Sequence, residues 1–114
     1  MTEITLTFGD EKISATLLDT QLAQAIIEAL PATVPLTSWG RELYGPINVT
    51  EREEKLTAQV SDGDIAFTSR GNLICFFFGQ QPAWEVEVVG KIATEDVSKM
   101  NSLRLDSAVH ISLQ

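Results

Sequence analysis

The stretch Leu73-Ile74-Cys75-Phe76-Phe77-Phe78 limits this chain more than any other. Side chains on a strand alternate between two faces, so a run that is apolar at every position needs protein on both sides. This stretch therefore belongs in a central strand. Around it, short alternating segments are cut apart by frequent turn signals. Ile4, Leu6 and Phe8 alternate with Glu3, Thr5 and Thr7. Gly9-Asp10 then supplies a turn, and Ile13, Ala15 and Leu17 resume the period of two, which predicts a hairpin.

One helix interrupts the strands, over about residues 20–30. Asp19 or Thr20 can cap its first turn, Leu22, Ala25, Ile26, Ala29 and Leu30 recur at three- and four-residue steps, and Pro31 stops it near Ala29 or Leu30. The apolar stripe is one-sided, as expected of a helix that lies over a sheet or plugs a barrel mouth. From Val34 onward the pattern predicts strands at Val34–Trp39, Leu43-Tyr44, Ile47–Val49, Leu56–Val60, Ile65–Phe67, Leu73–Phe78, Val86–Ile92 and Val109–Leu113. A short helical turn is predicted at about 95–100. So many short strands favour a mainly β fold, a closed barrel or sandwich; closure also removes the edges such strands would expose.

Composition bounds the partners. The 114 residues, 44% of them hydrophobic, suit a single domain over 1–114 with its own core. Eight Lys and Arg against sixteen Asp and Glu give a net charge of −8, which argues against nucleic acid and anionic membrane surfaces as partners. The single cysteine, Cys75, has no partner for a disulfide or a zinc clasp, and apolar neighbours make it an inert, buried thiol. The single histidine, His110, sits on the last predicted strand with no metal-ligand companion and is expected to face solvent. No cofactor is expected. The first residues lack a basic region followed by an apolar stretch, and with one cysteine this leads us to expect a cytoplasmic protein.

Several local words then resemble one family. Gly63-Asp64-Ile65-Ala66-Phe67, a glycine turn and the Phe76-Phe77 strand are similar to a passage of cyclophilins, as are Trp84 and Val88-Val89-Gly90-Lys91-Ile92. Trp39-Gly40-Arg41-Glu42-Leu43-Tyr44, Pro46-Ile47-Asn48-Val49 and Phe77-Phe78-Gly79-Gln80-Gln81-Pro82 look more like a small prokaryotic branch of cyclophilin-like proteins. That branch carries Trp-Gly-x-Glu-x-Tyr and Phe-Phe-Gly-x-x-Pro motifs. The resemblance covers nearly the whole chain and implies a cyclophilin-like closed β-barrel. It departs from true cyclophilins where their Phe-His-Arg signature and following Gln should stand, and the segment between Pro82 and Val86 looks shorter than in the small branch.

The chemistry follows from these words. A prolyl isomerase works against a resonance barrier of ~18–20 kcal/mol and needs an apolar socket plus a donor. Phe77 and Trp84 suit the socket, and Arg41 is the one candidate catalytic residue, although core packing and a surface ion pair explain the same residues. Trp39, Glu42 and Tyr44, with Asn48, Phe77 and Trp84, form the candidate binding pocket: amphipathic rings beside a charge at a glycine-kinked strand end suit a ligand or peptide groove. The same residues fit a second arrangement, the indole filling the barrel end and Glu42 accepting a hydrogen bond. Glu85 and Glu87 read as a solvated face, and Asp62-Gly63-Asp64 as a turn. The leading expectation is a module that binds a small molecule or peptide segment. A weak peptidyl-prolyl isomerase and a homo-oligomerising interaction domain are the alternatives.

Overall fold

The computed structural model describes residues 1–102 and 108–114. Strands β1 (Thr2–Phe8) and β2 (Glu11–Leu17) pair antiparallel from Thr2↔Leu17 to Phe8↔Glu11, and Gly9 turns between them at φ +61°. Their alternation puts Ile4, Leu6, Phe8, Ile13, Ala15 and Leu17 in the core. Helix α1 (Gln21–Glu28) follows, with the Thr20 hydroxyl accepting from the Ala23 N–H at 3.2 Å. Leu22, Ala23 and Ile26 carry its stripe into the same core, and the helix ends at Ala29, two residues before Pro31.

The predicted strand Val34–Trp39 is in fact two. Strand β3 (Ala32–Pro35) and strand β4 (Thr37–Trp39) occupy opposite ends of the sheet. Strands β5 (Glu42–Pro46), β6 (Asp64–Thr68), β7 (Leu73–Phe77), β8 (Glu87–Ile92) and β9 (Ala108–Leu113) complete it, with a 3-10 helix at Thr94–Ser102 where a helical turn is expected. The order β3-β9-β1-β2-β8-β6-β7-β5-β4 is antiparallel throughout. The sheet then curls until β3 lies against β5. Gly45 permits that approach, since a Cβ there would strike the Pro35 carbonyl oxygen and the Val34 side chain. The fold is thus mainly β: a nearly closed nine-stranded antiparallel barrel with two helices. Among the described residues no helix is long and apolar enough to cross a membrane.

Strand β7 lies between β6 and β5, as its two-sided run demands. Ile74 and Phe76 face the barrel core, where Phe76 meets Phe8 edge-on at 6.2 Å between centroids. Cys75 and Phe77 face the other way and pack with Ala66 and Val86 in a second, smaller cluster outside the barrel. The wall between these clusters carries the candidate site.

Two predicted strands are absent. Ile47–Val49 is loop: Ile47 and Val49 bury in the core while Asn48 stays exposed. Leu56–Val60 keeps a single bridge, Thr57↔Val86. Side chains take the place of a ladder along this segment. The Glu87 carboxylate accepts from the backbone N–H groups of Glu54 (2.7 Å) and Lys55 (3.1 Å). The Gln81 amide accepts from Val60 N–H (2.7 Å) and donates to Val60 O (3.0 Å). Local side-chain bonds of this kind compete with strand pairing, as the Thr57 hydroxyl does with Gln59. Glu87 is therefore buried (3% exposed) rather than on a solvated face.

Candidate functional site

The outer face of the barrel wall is set by the same alternation that fills the core. On β5, Leu43 points in, while Glu42 and Tyr44 point out. On β7, Ile74 and Phe76 point in, while Leu73, Cys75 and Phe77 point out. Cross-strand register aligns Tyr44 with Cys75 and Cys75 with Ala66, and Leu73 with Thr68. A floor of Tyr44, Cys75, Leu73 and Thr68 results, with Glu42 at one end.

A roof covers it. Pro82, Ala83 and Trp84 come over from the loop before Val86, and Trp39 stands at the end of β4. Together these residues enclose a cleft of about 490 Å³, within the size range of small-molecule sites. Trp84 is fixed in place: its Nε1–H donates to the Thr68 hydroxyl at 2.8 Å, and the Arg70 guanidinium lies 5.1 Å from its ring centroid, at cation–π distance. Trp39 is half exposed (50%) and Trp84 is 39% exposed, so both side chains remain accessible.

Glu42 is the acidic group of the cleft. Only 7% of it is exposed, and the Cys75 thiol lies beside it, donating to the Leu73 carbonyl oxygen at 4.0 Å. Burial raises its carboxyl from 4.5 to about 7, because a carboxylate taken from water loses solvation, and the neighbouring Cys75 thiol offsets this only in part. Burial also pushes the Cys75 thiol far up, with the neighbouring Glu42 adding to the effect, so the thiol is inert as the apolar sequence around it predicts.

The structure brings together Trp39, Glu42, Tyr44 and Trp84 from the predicted pocket. Trp39 stands on the outer wall, not in the barrel end. Phe77 is fully buried on the same outer face, where it packs with Cys75 and Val86 without lining the cleft. Asn48 is exposed and outside the lining. Arg41 occupies the two-residue turn between β4 and β5 beside Gly40 (φ +60°), as in a type II′ hairpin. Its backbone N–H donates to the Gln80 side chain at 2.7 Å, its stem runs alongside Gly79, and its side chain is exposed and outside the lining. His110 is exposed on β9, where its Nδ1 meets the Thr33 hydroxyl at 3.0 Å.

Sequence reasoning missed Thr68, Leu73, Pro82, Ala83 and Val86 as lining residues and read Cys75 only as core. The period of two on β6 and β7 carries the signal for Thr68, Leu73 and Cys75 once Phe76 is taken as inward. Nothing local marks Pro82 and Ala83, which reach the cleft through a loop.

A nearly closed barrel with an aromatic cleft on its outer wall is the setting for the comparisons with known proteins. The cyclophilin-like family model matches residues 2–112, and the chain belongs to that family. The solution structure of the hypothetical protein AF2241 from Archaeoglobus fulgidus superposes with a TM-score of 0.79 at 23% identity, covering 99% of this chain and 95% of that one. McbB, solved in complex with tryptophan, superposes with a TM-score of 0.77 at 16% identity; 97% of this chain is covered, but only 44% of McbB. Both likenesses are of fold. Among curated proteins none matches the sequence.

Proposed function

We propose that this protein is a binding module whose outer-wall cleft takes a small molecule, or one side chain of a peptide, with a flat apolar body. One observation carries the reading: a cleft of about 490 Å³ lined almost wholly by apolar and aromatic groups, with a single buried carboxyl as its charged group. Sites for small ligands have this make-up, an apolar lining for affinity and few polar groups for orientation. The isomerase alternative needs a fixed donor in the socket, and the exposed turn position of Arg41, outside the lining, favours the binding reading over it. The fold shared with a larger protein solved with tryptophan makes a small aromatic compound a sensible first probe.

Both tryptophans of the chain line the cleft, so intrinsic fluorescence reports on it without a label. Titration with 2-phenylethanol is expected to give a saturable change. Ala83→Phe, which fills the cleft from an exposed loop position, should abolish that change while leaving the circular dichroism intact. No saturable change in the parent protein, or an equal one in the variant, would remove the reading. A mass by light scattering that rises with concentration, and returns to that of one chain in Trp39→Ser, would instead favour an interface between copies.

A further inference from the structure

Three glutamates with restricted exposure surround this wall, and two have evident structural work. Glu87 accepts from the backbone N–H groups of Glu54 and Lys55, and Glu53 accepts from Ser69 N–H at 2.9 Å. Glu42 has no such duty. Among the described residues no backbone N–H donates to it, and none of the ion pairs, Met1–Asp19, Lys99–Glu11 and Lys99–Asp96, involves it. The Cys75 thiol beside it is a weak donor turned to Leu73, so the carboxyl is left to whatever enters the cleft.

Resting on the binding reading above, we infer that the ligand is an organic cation: a protonated amine on a flat apolar body, its ammonium on Glu42 and its body against Trp39, Tyr44 and Trp84. Three further observations favour a cation over an anion or a neutral acceptor. Aromatic faces carry negative potential and attract ammonium groups, and the cleft has three such rings. The lining contains no Lys, Arg or His, and Arg70, the cation nearest Trp84, stacks on that ring from outside the lining. The chain's net charge of −8 draws cations in and repels anions.

The pH dependence has a definite sign. An ammonium binds ionised Glu42, which becomes prevalent only as pH rises through about 7, so affinity should climb through that point. The other ionisable side chains facing the carboxyl are Cys75 from β7, whose thiol burial pushes up, and Tyr44 from β5 itself. Strand β4 and Pro82–Trp84 contribute none. On β6 the one ionisable residue, Asp64, lies at the same end of the sheet as Glu42, two strands away beyond Phe77, and its carboxylate accepts from Ser61 N–H.

Phenethylammonium, 2-phenylethanol and phenylacetate share one apolar body and differ in charge, and none of their rings interferes with tryptophan fluorescence. At about pH 8 the ammonium is expected to bind roughly tenfold or more tighter than the alcohol, with phenylacetate weakest. Near pH 5.5 the ratio should shrink toward about one as Glu42 takes up its proton. Glu42→Gln should collapse the ratio at both pH values, with the chemical shifts of barrel-core methyl groups confirming the fold. Equal binding of ammonium and alcohol at the higher pH overturns the inference and leaves the binding reading standing. An alcohol that binds better as pH falls also overturns it, because Glu42 then acts as a protonated donor. Silence from all three probes overturns both.

Discussion

A carboxyl buried without a cation or a backbone donor weakens the fold that holds it, and Glu42 allows this to be measured. Its carboxyl sits at about 7 in the folded chain against 4.5 in the open one, so between these values the folded state holds a proton the unfolded state has released. Its favourable share is complete below 4.5 and is lost as pH rises through 7. At roughly 1.4 kcal/mol per unit, the penalty above that point is about 3.5 kcal/mol at most. Glu42→Gln should therefore match the parent near pH 4 and be more stable near pH 8, as read from urea midpoints at the two pH values. Equal midpoints at the higher pH would mean the carboxyl is better solvated than its burial implies. A group that costs stability and supports no backbone is what a site retained for ligand recognition looks like.

Among the elements, the barrel is written into the sequence more openly than the cleft. The β1–β2 hairpin, α1 with its Thr20 cap, and β7 with both faces apolar were legible because period and turn residues act within a few positions of each other. The loop over 47–62 was not. Leu56, Ala58 and Val60 alternate as a strand would, yet Glu87 and Gln81, distant in sequence, supply the hydrogen bonds a neighbouring strand would have made. The split of Val34–Trp39 into β3 and β4 was hidden for a similar reason, since barrel closure at Gly45 decides it. Four of the six pocket residues predicted from sequence lie in the lining because motif and alternation agree at Trp39, Glu42, Tyr44 and Trp84. Phe77 obeys the alternation too but is roofed over, a matter of loop packing that periodicity does not encode. The buried Glu87 invites its own test. Glu87→Ala leaves two N–H groups without an acceptor and should cost about 1–3 kcal/mol. Amide exchange at Glu54 and Lys55 should quicken with it, while exchange within β1 and β2 should change only as far as global stability does.

For the whole molecule, charge is the dominant unbalanced quantity. Sixteen acidic groups face eight basic ones, and the ion pairs among the described residues lie at the surface, where each is worth little. Repulsion among the surplus carboxylates should therefore outweigh attraction, and screening it should help. Raising sodium chloride from roughly 20 mM to about 0.5 M is expected to raise Tm by a few degrees. A Tm that falls over this range would show that specific pairs outweigh the general repulsion. The same salt should weaken phenethylammonium relative to 2-phenylethanol, since only the first is steered by the field.

The roof of the cleft runs from two adjacent anchoring side chains, Gln80 on the β4–β5 turn and Gln81 on Val60, to the Thr57↔Val86 bridge, and none of these closes the barrel. Pro82 and Ala83 can then be exchanged, with both glutamines and the Trp84–Thr68 hydrogen bond kept, and the cylinder beneath would have no reason to unfold. The same loop is the natural graft point for anyone wishing to redirect the proposed binding cleft.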